Sequence, residues 1–198
     1  RDDEADGSGV AILHAPTLRD TDINAAEAFF SVADDSEVFF DLVAGGDING
    51  DGVGDILLST EPPDLGNSTV SVFYGPIRGE YTSREADASV RGPYQSQESW
   101  FSLIPESVND LDGDGYGDLA VSAPSVSVSA FYGGASYVYY GPLSGALALG
   151  DAEANYVGDV EGGYAGTMSG PGDIDGDGDL DIADLLLMQQ YLLNGGAP

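Results

Sequence analysis

Cysteine and lysine are both absent from the 198 residues, and histidine occurs once, at His14. Without cysteine there is no disulfide framework, no thiolate metal ligand and no thiol nucleophile. Without lysine there is no Schiff-base chemistry. His14 lies in an apolar run, VAILHAP at residues 10–16, where a packed or edge side chain is a simpler reading than a catalytic base. No apolar stretch reaches about 18 residues, which excludes a membrane-spanning helix. Positive charge is scarce: five arginines face 35 carboxylates, giving a net charge of −30. Such a chain repels nucleic acid and anionic membrane surfaces. Its charge must be balanced by bound cations, by high salt, or by both; acidic, lysine-poor surfaces of the halophilic kind are the second source of the same bias. No secretory leader is visible, and the start at Arg1 reads as a processed mature form. An exported protein without disulfides needs another staple, and calcium is one.

What the chain does have is a normal complement of core-forming residues, 42% hydrophobic and 10% aromatic, with 29 glycines. That combination predicts a folded protein of short strands and many tight turns. Asp outnumbers Glu by 25 to 10, and Asp is the shorter carboxylate that turns and metal loops favour.

The acids are organised in repeats. DINGDGVGD at residues 47–55 returns as DLDGDGYGD at 110–118 and as DIDGDGDLD at 173–181, with first aspartates 63 residues apart both times. An apolar run ending in proline recurs as VAILHAP (10–16), VSVFYGP (70–76) and YVYYGP (137–142). Eleven residues after each proline comes the acid of an Ala-acid-Ala triplet, centred on Glu27, Asp87 and Glu153. Each unit therefore reads as strand, turn, strand, metal loop, strand. Residues 1–9 are acidic and glycine-containing, a loose tail.

Calcium takes six to eight oxygens, and a nonapeptide with acids at its first, third, fifth and ninth positions can curl around one ion. Glycine at the sixth permits the sharp turn, and the seventh adds a backbone carbonyl. The first loop offers Asp47, Asn49, Asp51 and Asp55 with the Val53 carbonyl. The second offers Asp110, Asp112, Asp114 and Asp118 with the Tyr116 carbonyl. The third offers Asp173, Asp175, Asp177 and Asp181 with the Asp179 carbonyl, and Asp184 stands twelfth, where an EF-hand places its last ligand. About three calcium ions are expected, in a structural rather than catalytic role. Carboxylates crowded this closely repel one another unless a cation joins them. After the third loop, Leu185, Met188 and Leu192 recur at helical spacing before a glycine stop, predicting a loop and helix; a strand over 181–187 is the alternative.

The first two repeats resemble FG-GAP repeats, the calcium-bearing blades of integrin α-subunit propellers and of many bacterial surface proteins. The aspartate loops match that family's metal motif, LAVSAP at 119–124 resembles its "GAP" end, and 70–76 and 137–142 resemble its outer strand. Phe40-Asp41 and Phe101-Ser102 stand where the name-giving Phe-Gly would be. Residues 172–195 resemble a single dockerin segment, half of the pair with which that family binds cohesin. The resemblance implies a mainly β fold of blade-like repeats over 10–171, about three and too few to close a propeller. A dockerin-like calcium loop with a short C-terminal helix would then occupy 172–198.

Open sheet edges invite strand pairing between molecules. The expected function is therefore an extracellular or cell-surface calcium-binding structural protein that self-associates into an oligomer or filament. The alternative is a calcium-stabilised carbohydrate- or protein-binding adhesion module, in which the tyrosines of 132–140 stack on sugars. The patterned aspartates are committed to metal, so no catalytic residue is assigned and no enzyme is expected. The sequon at Asn67 is a candidate glycan site.

Overall fold

The computed structural model describes residues 9–12, 26–32, 38–61, 68–93 and 103–166. Runs that mix Val, Ile, Leu and aromatics with Ser or Thr become strands, cut short by Gly, Pro and Asp. Twelve strands result: β1 (Gly9–Ile12), β2 (Ala28–Ser31), β3 (Val38–Gly46), β4 (Asp55–Glu61), β5 (Thr69–Phe73), β6 (Gly79–Thr82), β7 (Ala88–Arg91), β8 (Ile104–Ser107), β9 (Leu119–Ala123), β10 (Ala135–Tyr139), β11 (Gly145–Ala148) and β12 (Ala154–Val157). β1 begins at Gly9, the first described residue.

Two antiparallel four-stranded blades stand out. β3, β4, β5 and β7 form one, and β8, β9, β10 and β12 form the next, each in sequence order. β1 and β2 align with β5 and β7, and pair as the outer half of a preceding blade. The fold is mainly β, built of blade-like repeats whose sheets do not close on themselves. Each Ala-acid-Ala triplet supplies the first residue of an outer strand: Ala28, Ala88 and Ala154.

Two strands lie where the sequence suggested only a turn. β6 leaves its own blade and pairs in parallel with β2 of the preceding one, matching Ala28 with Gly79. β11 does the same to β7, matching Ala88 with Gly145. Each repeat thus straps the outer edge of the one before it, covering backbone groups that an edge strand would expose.

The core lies between blades. Side chains alternate across each strand, so Leu57 faces the next blade while Leu58 faces the preceding one. Leu57, Val70, Val72 and Val90 meet Leu103, Leu119, Val121, Tyr137 and Tyr139 in the larger cluster. Fully burying each such aliphatic side chain is worth about 1.5–3 kcal/mol, which makes this interface the main stabiliser of the pair. On the other side, Phe30 meets Phe73 edge-on at 4.8 Å and stacks on Tyr81 at 5.1 Å. The strap strand β6 is thereby tied into the core as well as the sheet.

Among the described residues no helix is long and apolar enough to cross a membrane. The expected C-terminal loop and helix, the tail before Gly9, His14 and Asn67 lie outside the described residues.

Candidate metal centre

Residues 47–54 connect β3 to β4, and 108–118 connect β8 to β9, so the two aspartate loops occupy the same turn of successive blades. Their local folding is nearly identical. Asp47 accepts hydrogen bonds from the Asp51 and Gly52 amides at 2.9 and 2.8 Å. Asp110 accepts from Asp114 and Gly115 at 3.0 and 2.8 Å. The Val53 amide donates to Asp51 Oδ1 (2.8 Å), and the Tyr116 amide to Asp114 Oδ1 (2.9 Å). Carboxylates at the first and fifth positions thus wind the backbone around themselves, a turn that Gly52 and Gly115 allow at φ 85° and 94°.

The ninth position behaves differently. Asp55 and Asp118 are buried, 2% and 0% exposed. Asp55 accepts from the amides of Ile48 (2.7 Å) and Gly75 (2.9 Å). Asp118 accepts from Leu111 (2.6 Å) and Gly141 (2.9 Å). Each carboxylate therefore latches its loop to the Gly-Pro turn that follows the third strand of the blade.

Burial pushes the Asp118 carboxyl up to about 6, and repulsion from Asp112 and Asp110 adds to it, against the lowering effect of the two amides. Burial also raises Asp55, with a smaller push from Asp51. Buried carboxylates facing other carboxylates are short of positive charge.

Asp110, Asp112 and Asp118 bring ligand oxygens within 4.8 Å of one another. Two oxygens on one calcium, each about 2.3–2.6 Å from it, can be separated by no more than about 4.6–5.2 Å. The trio is therefore close to the spacing that one shared calcium ion requires. Asp114 is not part of the trio, and its Oδ1 is held by the Tyr116 amide. Among the described residues this is the only such gathering of three acids. In the first loop Asn49 replaces one carboxylate, and its side-chain amide donates to Asp51 Oδ2 at 3.1 Å. Asp47, Asp51 and Asp55 are not drawn together to the same degree. Asp173, Asp175, Asp177, Asp179, Asp181 and Asp184 lie outside the described residues.

The sequence did not disclose what holds the loops in place. The amides of Gly75 and Gly141 complete the ninth-position latches, and the recurring Gly-Pro was the signal that could have found them. The triplet acids brace the same turns from the other side. Asp87 accepts from the Tyr74 amide (2.8 Å) and Glu153 from the Tyr140 amide (3.2 Å). Their fixed spacing from the proline reflects this bond.

Comparison with known proteins agrees with this geometry. The FG-GAP repeat model matches residues 107–139, which run from the end of β8 through the second loop to the end of β10. The chain is similar to integrin alpha-PS2 of Drosophila melanogaster, 33% identical over 119 residues, covering 57% of this chain and 8% of that protein. It is also similar to integrin alpha-PS5 of the same organism, 34% identical over 89 residues, covering 44% and 9%. The chain spans less than a tenth of the length of the curated relatives it matches.

Proposed function

We propose that this chain is a calcium-stapled, non-catalytic repeat module of an extracellular adhesion-type protein, with one ion in each aspartate loop. The observation that carries the reading is the Asp110–Asp112–Asp118 trio, whose buried member is latched to the next turn of its blade. An ion there would be held by these three side chains with the Tyr116 carbonyl, and would neutralise charge that the folded chain otherwise keeps close together. Calcium suits the loops better than magnesium, which prefers a rigid octahedron and keeps its waters. Similarity to integrin alpha chains supports the adhesion reading.

Isothermal titration with calcium, magnesium and EDTA tests it. Calcium is expected to bind at least twofold in stoichiometry and to raise the melting temperature; at a free concentration of 100 Kd one site adds about 2.7 kcal/mol. No uptake of calcium, with unchanged melting in EDTA, overturns the proposal.

A second reading, self-association, is favoured by one observation. β2 and β7 each carry a parallel strap from the following repeat, whereas β12 is paired only with β10 among the described residues. A strap from a second copy along Ala154–Val157 would extend the molecule head to tail. Light scattering with calcium at rising protein concentration distinguishes this from a monomeric module: growth supports it, and a constant monomer mass removes it.

A further inference from the structure

The two loops touch. The Gly117 amide, at the eighth position of the second loop, donates a 2.7 Å hydrogen bond to the carbonyl of Asp47, the first residue of the first loop. Beside it, the Tyr116 ring lies against Gly50: a Cβ built on Gly50 would stand 2.6 Å from Tyr116 Cε1. Gly117 itself approaches the Asp47 backbone so closely that a Cβ there would meet the Asp47 oxygen at 3.0 Å. Gly141, whose amide holds Asp118, is wedged against both loops, near the carbonyls of Gly117 and Ile48. The edge of the second loop is thus built upon the floor of the first.

We propose that Tyr116 couples the two metal loops, so that filling the second prepares the first. The inference rests on the calcium reading above. Tyr116 offers its carbonyl to one ion and its ring to the turn that encloses the other. An ion in the second loop fixes the Tyr116–Gly117 peptide. That peptide then fixes the Asp47 backbone and the Gly50 turn beneath the ring, so the first loop loses less conformational freedom when its own ion arrives. The opposing effect is charge: a cation in one loop repels a second cation entering the other. These loops are solvent-exposed at their rims, where charges are screened over about 8 Å at physiological ionic strength. The coupling is positive on this proposal, ordering outweighing the repulsion between the two ions. The first loop, with Asn49 in place of an acid, is the one that needs such help.

Amide NMR of the whole chain in 0.15 M salt tests this, because Gly52 reports the first loop and Gly115 the second during a calcium titration. Replacing Tyr116 by Ala preserves the carbonyl and removes the ring. The expected result is a weakening of the calcium midpoint at Gly52 by about fivefold or more, the lower range of measured couplings between sites, although Tyr116 is no ligand of that loop. Tyr116→Phe should restore the original midpoint. Val53→Ala, the matching change in the first loop, should leave Gly115 unmoved. If Tyr116→Ala disturbs the fold in EDTA, Tyr116→Leu keeps apolar bulk and serves in its place. An unchanged Gly52 midpoint in a folded ring-less variant overturns the coupling while leaving the calcium reading intact. If neither glycine responds to calcium in the unaltered chain, the calcium reading itself falls, and the coupling with it.

Discussion

Ser59 Oγ donates a 2.7 Å hydrogen bond across the blade interface to the carbonyl of Leu103. The residue at the equivalent place on the following blade is Ser122, counted from the ninth-position aspartates Asp55 and Asp118; its hydroxyl is buried and has no hydrogen-bond partner among the described residues. The same serine in successive repeats is a fastener in one and, among the described residues, an unpartnered polar group in the other.

This difference predicts opposite consequences of the same substitution. Ser59→Ala removes an interblade bond and should cost about 1–3 kcal/mol, because its former acceptor loses a buried partner. Ser122→Ala removes a buried hydroxyl with no hydrogen-bond partner among the described residues and should be neutral or stabilising. Urea unfolding in calcium measures both; equal losses at the two sites would contradict the assignment.

The latch and the ligand can be separated genetically. Asp112 is exposed and takes part in the trio without holding the blade together. Asp112→Asn should therefore weaken calcium binding by about tenfold or more, equivalent to about 1.4 kcal/mol, while the melting temperature in EDTA stays essentially unchanged. A large fall in EDTA would show that Asp112 is a structural residue.

A pH experiment follows from Asp118. Its carboxyl is raised in the folded chain to about 6, from an ordinary value of 3.8. In a metal-free sample the folded state therefore holds its proton over a range where the unfolded state has lost it. The stabilising contribution is complete below about 4 and disappears as pH rises through about 6. The carbon-13 carboxyl resonance of Asp118 in EDTA should titrate near 6; a titration at the ordinary carboxylate value would refute the electrostatic account.

Gly141 should tolerate no side chain. A Cβ there would stand 2.8 Å from both the Ile48 carbonyl oxygen and Tyr116 Cβ, among atoms of two loops that cannot both retreat. Gly141→Ala is expected to cost about 1–3 kcal/mol or more, as overpacking changes do. Gly150→Ala meets no atom within 4 Å and should change little. Thermal melts of the two variants, side by side, decide the matter.

Much of the scaffold was legible because its signals are local. The run LAVSA forecast β9 at Leu119–Ala123 without adjustment, and the aspartate spacing forecast both described loops. What the sequence hid is contact at a distance. The amides that hold Asp55 and Asp118 lie 20 and 23 residues further on, where glycine before proline signals a turn but names no partner. β6 and β11 were hidden for another reason: GEYT and GALA lack a strand's alternation and become strands because a neighbouring edge receives them. The aspartate spacing marks four acids in the second loop, and three of them, Asp110, Asp112 and Asp118, are gathered within 4.8 Å. Asp114 stands outside that gathering, with its Oδ1 accepting from the Tyr116 amide.

The straps overlap the blades as roof shingles overlap, so the stretch of chain that repeats and the body that folds are out of phase. A fragment trimmed at Arg91, where the last strand of the first complete blade ends, would leave β7 bare along the side that Gly145–Ala148 now covers. Such a piece would hold a full blade's sequence and still expose a sticky seam. Any division of this molecule into independently soluble parts must cut past the shingle, at the expense of carrying some of the neighbour along.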